Sequence, residues 1–516
     1  MHASTSRRAI GAAAAAVGLV LSLVPAAAAS ADLDPGTTFY ADPFSTTAQA
    51  AATLSGQARA DAQLLASIPS GAWFTKGTPA DVHAGVDALL DRSSAAGEVP
   101  VVVVYNLPFR DCAQYSAGGA TSTAEYVAWI DAVASAIADR EAVVIVEPDG
   151  LGIIPWYTTI NGELEWCRPA EADPAAAASE RFAQLNHAVD VLTALPGTAV
   201  YLDGTHSGWL GVGDAADRLI KAGVAQADGF YLNASNYVET ERLLSYGRWI
   251  SDCIHLDQNS WWQREWCGSQ YYPASPDDFS TWALTDAAYD QAFADTGLAR
   301  DPANQAHFVV DTSRNGRGPW TVPAGMYSDP EVWCNPPGRG LGIPPTTSTG
   351  EPLADAFLWI KVPGESDGRC FRGTAGPTDP ERGIIDPEAG RWFPQQAAEL
   401  IALAAPPVAR QSCDVDYIVH GAWPGGFNTQ IWITNTGTKP LNGWDLAWTF
   451  PAGQSLSNGW SASYSVEGGR QHARSLDWNR VIKPGQRITI GFIGATSVGA
   501  TEPLLFTLNG RGCTSR

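Results

Sequence analysis

The chain predicts an α/β fold, a β/α barrel over residues 32–405, followed by an all-β sandwich over residues 413–516. Three observations carry this reading. Six short apolar runs alternate with amphipathic helices, the periodicity changes after residue 412, and the net charge changes with it. The runs are VPVVVVYNLP (99–108), AVVIVEPD (142–149), TAVYLDGT (198–205), GFYLNAS (229–235), HFVVDTS (307–313) and AFLWIKVP (356–363). They are too short and too β-branched for helices, and their apolar residues are continuous rather than alternating. Strands buried on both faces of a parallel sheet read this way. Helical periods fall between them, as at Thr123–Asp139, Ala178–Leu195 and Gly213–Gly223. Repeated βα units build either a barrel or a doubly wound sheet, and the barrel is the expectation.

The tail behaves differently. TQIWITNTG, GWDLAWTF, RITIGFIG and LLFTLNG are strand-like segments separated by Gly, Asn and Pro turns. No helical period appears, so a β-sandwich is expected. Eight basic residues stand against six acids there, a net of +2, whereas residues 32–412 carry −26 of the overall −22. Such asymmetry marks a domain boundary. Ala404-Ala405-Pro406-Pro407 closes the last helical stretch and leaves residues 406–412 as a short linker.

Residues 1–31 read as a secretory signal peptide: Arg7 and Arg8, an apolar stretch from Ile10 to Val24, then Ala29-Ser30-Ala31 as a small-residue cleavage site. The paired arginines leave Sec and twin-arginine export open. No later apolar run approaches the ~18–20 residues of a membrane helix. A secreted, extracellular protein without a membrane anchor is expected. The eight cysteines, Cys112, Cys167, Cys253, Cys267, Cys334, Cys370, Cys413 and Cys513, suit that compartment as disulfides. Eight cysteines allow 105 pairings; pairing of neighbours along the chain, 112–167, 253–267, 334–370 and 413–513, is the working expectation. No C-x-x-C is present and the histidines are scattered, so neither a metal nor a cofactor is expected.

The acidic balance, 54 Asp and Glu against 32 Lys and Arg, opposes a nucleic-acid partner. Twenty Trp point instead to flat, neutral ligand faces. Several buried runs end in polar residues: Tyr105, Asn106, Arg110 and Asp111; Glu147 and Asp149; Asp203 and His206; Asn233 and Asn236; Asp311 and Arg314; Lys361, Glu365 and Asp367. In a parallel β/α fold these strand ends share one rim, where active sites lie. Any single Asp or Asn there serves equally as a helix cap or turn residue. Asp311 with Arg314 is expected to be a structural ion pair, and Glu147 is a candidate for buried support.

No G-x-S-x-G, H-E-x-x-H, Walker loop or G-x-G-x-x-G occurs, which weighs against serine hydrolases, zincins and nucleotide enzymes. Clustered carboxylates suit acetal hydrolysis, which needs an acid for the leaving oxygen and a group to activate water. Crowding keeps one carboxyl protonated.

At these residues the chain resembles the glycoside hydrolase family 6 cellulases, through YNLPFRDCAQYSAGG (105–119), VEPDGLG (146–152), LDGTHSGWL (202–210), DTSRNGRGP (311–319) and WIKVPGESDG (359–368). The resemblance implies a distorted β/α barrel that cuts β-1,4-glucan with inversion. It implies Asp149 as general acid, Asp111 as the residue that raises the pKa of Asp149 and steers water, and Ser116 as the holder of that water through hydroxyl or backbone. Tyr105 would press on the distorted sugar. Asp203, His206, Trp209, Asn236, Trp333, Lys361, Glu365 and Asp367 match substrate-contacting or field-shaping positions. Gly204-Thr205 replaces the family's usual small pair after the Asp. The 112–167 and 334–370 pairings match family disulfides.

The tail resembles the family 2 cellulose-binding modules. Cys413 and Cys513 frame it as that family's terminal disulfide does, with Trp423, Trp460 and Trp478 as the exposed strip on cellulose and Trp444 and Trp448 as core. Cellulose and soluble β-1,4-glucans are therefore the expected partners of a monomeric enzyme. Endo action is favoured over a cellobiohydrolase, because Cys370 sits early and the stretch after RDC is short, although residues 368–392 exceed a minimal open-cleft loop. A non-catalytic glucan-binding scaffold is the alternative of a different class. The long segment from Tyr237 to Asn304, with Trp261, Trp262, Trp266, Tyr271 and Tyr272, reads either as a disulfide-pinned mini-core or as a wall of extra sugar subsites.

Overall fold

A computed structural model describes residues 33–515; the signal-peptide reading of residues 1–31 lies outside them. The first domain contains β1 (Ala72–Phe74), β2 (Val101–Val104), β3 (Ala142–Val146), β4 (Thr198–Asp203), β5 (Gly229–Leu232), β6 (His307–Asp311) and β7 (Ala354–Leu358). They form one parallel sheet in the order 1-2-3-4-5-6-7. A doubly wound sheet would reverse that order at a switch point, so the barrel reading holds. β1 and β7 are the sheet's edges. Gly71 N donates to Trp359 O (2.8 Å) and Trp73 Nε1 to Ile360 O (2.8 Å), so the edges meet at one end only. A Cβ on Gly71 would stand 2.4 Å from Ile360 O, which is why glycine occupies that seam.

The outer layer is helical: α1 (Thr46–Thr53), α2 (Gly56–Ala66), α3 (Pro79–Ala96), α4 (Thr123–Ile137), α5 (Ala177–Thr193), α6 (Val212–Lys221), α7 (Thr240–Asn259), α8 (Ala283–Thr296) and α9 (Pro394–Ala402). Side chains alternate across the sheet. Val102, Val104, Val144, Val146, Val200 and Leu202 pack outward with the helices, and Val101, Val103, Val143, Ile145 and Tyr201 pack together on the inner face. Burial on both faces is the reason these strands read as unbroken apolar runs. All six runs overlap a strand, although the last strand begins at Ala354, two residues before its run, and ends at Leu358. β1 went unread because three residues, AWF, show no period; it exists through pairing with Val102–Val104.

The second domain packs two antiparallel-rich sheets. One orders Gln454–Trp460, Arg487–Thr496, Gly426–Asn435, Cys413–Trp423 and Thr514–Ser515; the other orders Ser463–Glu467, Arg470–Arg474, Asp445–Trp448, Phe506–Leu508 and Arg511–Gly512. Phe427, Ile431, Trp444, Trp448, Phe492 and Phe506 fill the space between them. The domains touch: Gln63 of α2 and Ser515 exchange hydrogen bonds (Nε2 to Oγ 2.7 Å, N to Oε1 3.0 Å), and Arg470 reaches Glu98 at 2.9 Å. Four disulfides form, Cys112–Cys167, Cys253–Cys267, Cys334–Cys370 and Cys413–Cys513. No helix of the described residues is long and apolar enough to cross a membrane.

Candidate active site

The carboxylates converge at the C-terminal ends of the strands, beginning with the turns after β2 and β3. These turns are tightly wound: Phe109, Asp111, Cys112, Glu147 and Asp149 all have φ between 45° and 64°. Non-glycine residues enter that region only where the surroundings hold them. The holding groups are visible. Buried Glu147 accepts from Asn106 N (2.8 Å) and Leu107 N (3.0 Å), tying the β3 end to the β2 turn. Arg181 of α5, also buried, donates to Gly150 O (2.9 Å), Ile153 O (2.8 Å) and Pro108 O (2.8 Å). Glu147 is thus the support that its strand-end position allowed.

Arg181 escaped the sequence reading, although a signal existed. It shares a helix face with Ala177, Gln184, Leu185 and Ala188, all buried, and a charge on a buried face needs partners.

Asp149 is held well above the ordinary carboxyl range, chiefly by burial and then by the charges of Asp203 and Asp111. Tyr105 Oη makes a long contact with its Oδ2 (3.5 Å). The buried Tyr105 ring is fixed edge-on by Trp73 (5.5 Å) and has the Arg110 guanidinium 4.5 Å from its centre. Burial pushes Asp111 up to about 6, against the opposing hydrogen bond from Ser116 N (2.6 Å) and the charge of Arg110. Ser116 O accepts from Arg110 Nε at 2.9 Å. Both backbone groups of Ser116 are therefore engaged. Tyr105, Asp111, Glu147, Asp149 and Arg181 enclose a cavity of about 10 Å³, room for one water at most.

Asp203 ends β4. It accepts from Leu151 N and Gly152 N (both 3.2 Å) and Thr205 N (2.9 Å), and burial raises it to about 6. It thereby braces the turn that carries Asp149. The next turn presents His206, lowered to about 4 by burial, and Trp209, whose ring lies 5.9 Å from the imidazole. A Cβ at Gly152 would come within 2.5 Å of that indole, so the glycine makes room for Trp209.

Asp367 is the most heavily bonded acid. Although burial pushes it up, Arg314 and Lys361 outweigh that effect and hold it below the usual carboxylate range. Arg314 Nη1 reaches both oxygens (3.0 and 2.8 Å), Lys361 Nζ lies 3.3 Å away, and Asn335 N and Tyr237 Oη donate at 3.0 and 3.2 Å. The expected Asp311–Arg314 pair does not form as a bridge. Asp311 accepts instead from Ser235 N, Ser313 N and Lys361 N (2.9–3.1 Å), while Arg314 turns to Asp367. The backbone donors reach Asp311 first, because it lies within the strand ladder.

Glu365, raised by burial, is bound by Thr46 Oγ1 of α1 at 2.5 Å and lies near Lys361. Trp333 sits 5.8 Å from the ring of Tyr115, whose hydroxyl donates to Glu331 (2.8 Å) and accepts from Phe371 N (3.2 Å). Asn236 follows β5 and donates from Nδ2 to Ala234 O at 3.3 Å. Trp423, Trp460 and Trp478 are exposed on the second domain, while Trp444 and Trp448 are buried. Gly426 and Gly491 underlie the first two indoles, where a Cβ would come within 2.7 and 2.3 Å of the rings.

A parallel barrel that gathers acids at its strand ends, one of them held well above the ordinary carboxyl range, suits a glycoside hydrolase. Residues 34–404 match the pattern of glycosyl hydrolases family 6, and residues 413–513 that of the cellulose binding domain. The chain belongs to family 6 of the glycosyl hydrolases, as a cellulase with an attached cellulose-binding domain. It is 32% identical over 520 residues to endoglucanase A of Thermobispora bispora, covering 94% of this chain and 95% of that relative. Among solved structures, an endoglucanase of Mycobacterium tuberculosis is similar at 36% identity and TM-score 0.52, covering 71% of this chain and 96% of that one. The cellobiohydrolase catalytic core of Chaetomium thermophilum is similar at 26% identity and TM-score 0.51, with 73% and 99% covered.

Proposed function

We propose that this cellulase is a secreted, monomeric endo-1,4-β-glucanase that inverts the anomeric centre, with Asp149 as its general acid. The observation that carries the assignment is the environment of Asp149: burial and the charges of Asp203 and Asp111 favour the proton it must deliver. Asp111 supplies part of that field and steers the attacking water, which the Ser116 hydroxyl holds. Tyr105, braced by Trp73, presses on the sugar at the cleaved bond. His206, Trp209, Asn236, Trp333, Lys361 and Glu365 contact flanking sugars, and Asp203 and Asp367 shape the field behind them. Residues 406–412 join the catalytic domain to a module that lays Trp423, Trp460 and Trp478 on crystalline cellulose. Four disulfides support the extracellular assignment.

Endo action is supported by two similar proteins with endoglucanase names and by the early Cys370, which is pinned to Cys334. One observation favours exo action: Tyr115 joins the turn after β2 to Glu331 and Phe371, a contact between loops at the rim. Viscosity loss against reducing sugar released from carboxymethylcellulose separates the two. A steep fall in viscosity per bond cut means endo, and little fall means exo. Release of no reducing sugar at all would instead favour the scaffold reading. Proton NMR of the first products tests inversion: the α-anomer should appear first, and an initial β-anomer would overturn the mechanism.

A further inference from the structure

Between α7 and α8 the chain carries Trp261, Trp262, Trp266, Tyr271 and Tyr272, pinned by the Cys253–Cys267 disulfide. Packing explains only one of the three indoles. Trp262 is half-buried against the main core, but Trp261 is 58% exposed, Trp266 51% and Tyr272 80%. The indoles touch one another at 5.7–6.1 Å between centres. A mini-core would bury these rings; instead they leave large faces in water, and clustered exposed aromatics mark a binding surface.

The segment is fastened to the turn that carries His206 and Trp209. Buried Gln270 donates from Nε2 to Ser207 O (2.7 Å) and Leu210 O (2.9 Å), and Tyr271 Oη lies 3.4 Å from Trp209 O. Arg264 anchors the other side through Asp217 (3.1 Å) and Asp257 (3.2 Å). Tyr271 therefore joins the aromatic segment to the Trp209 turn, and Arg264, which fixes its other side, is paired with acids. A neutral ligand with flat apolar faces fits this chemistry.

We propose that Trp261, Trp266, Tyr271 and Tyr272 form an additional stacking surface for a single β-1,4-glucan chain, extending the cleft beyond Trp209. The proposal rests on the reading of that cleft as the cellulase site. Each pyranose ring presents axial C–H groups above and below and hydroxyls at its edge, so indole and phenol faces gain contact area without desolvating hydroxyls. The surface would make cleavage depend on chain length.

The test compares kcat/KM on cellotetraose and cellohexaose in the full chain. A second readout is retardation in gels containing hydroxyethylcellulose, in a full chain already carrying Trp423→Ala, Trp460→Ala and Trp478→Ala. Trp261→Ala with Tyr272→Ala should lower the hexaose-to-tetraose ratio about tenfold and reduce retardation; Trp261→Phe with Tyr272→Phe should restore most of both. Tyr272→Ala alone, at an open surface position, covers the case in which the double variant misfolds, and should lower the ratio by itself. Normal hydrolysis with ratio and retardation both unchanged overturns the surface while leaving the cellulase reading intact. An altered oligomeric state without a changed ratio overturns it in favour of a protein contact. No hydrolysis by the unsubstituted chain would instead sink the cellulase reading.

Discussion

Arg314 donates to both oxygens of Asp367, at 3.0 and 2.8 Å, with both side chains buried. The pair joins the end of β6 to the loop after β7, and Lys361, Asn335 and Tyr237 complete the shell of Asp367. Removing one partner leaves an uncompensated buried charge, which costs about 3–5 kcal/mol. Arg314→Ala should therefore lower the stability of the catalytic domain by about that amount in denaturant unfolding. Because the folded pKa of Asp367 is depressed, its contribution is complete above its unfolded value of about 4 and is lost as pH falls through the folded one. A loss below about 1 kcal/mol at neutral pH would show that the shell tolerates the gap.

The second prediction concerns the acid. Asp149→Asn should abolish hydrolysis of unactivated glucan, because an amide cannot protonate the leaving oxygen. Glycosides with an acidic leaving group should suffer much less. Equal losses on both substrates would remove Asp149 from the role.

The third concerns pH. Activity should rise through about pH 6, where Asp111 loses its proton, and fall at higher pH as Asp149 loses the proton it must donate. The charge of Asp111 raises Asp149. Asp111→Asn removes that charge, so the alkaline limb should move to lower pH in whatever activity remains. A limb that stays in place or moves upward would show that the two acids are not coupled.

The fourth separates the domains. Replacing Trp423, Trp460 and Trp478 together by Ala should weaken binding to crystalline cellulose by about 10²-fold or more, by removing the second attachment. Turnover of soluble cello-oligosaccharides should stay within about twofold, since the docking contacts of Gln63 with Ser515 are untouched. A parallel loss of soluble turnover would mean that the module supports the catalytic domain itself.

Arg181 yields a fifth test. Its three carbonyl contacts set the turns that carry Asp111 and Asp149. Arg181→Lys keeps the charge but cannot reach all three acceptors in a planar fork. It should lower kcat about tenfold or more with a smaller change in KM, as expected when misplacement affects the transition state more than binding. A change confined to KM would argue against this positioning role.

The amino-acid sequence by itself determined the parallel core, because strands buried on both faces must be apolar at every position. It also determined where the acids stand, since each run of Val and Ile gives way to polar residues at the C-terminal end of its strand. The core indoles Trp444 and Trp448 were likewise legible from the pattern they share with a known module. Only the tertiary structure decided which acid each base would meet. Arg314 is three residues from Asp311 yet bonds Asp367, 53 residues away, because the backbone amides already occupy Asp311. The fold alone brought Arg181 beneath two turns, made a strand of AWF, and left Trp261 and Trp266 exposed while Trp262 packed on the core. Local periodicity reports which face of an element is buried; it carries no record of what lies opposite that face, which is set by contacts between segments far apart in the chain.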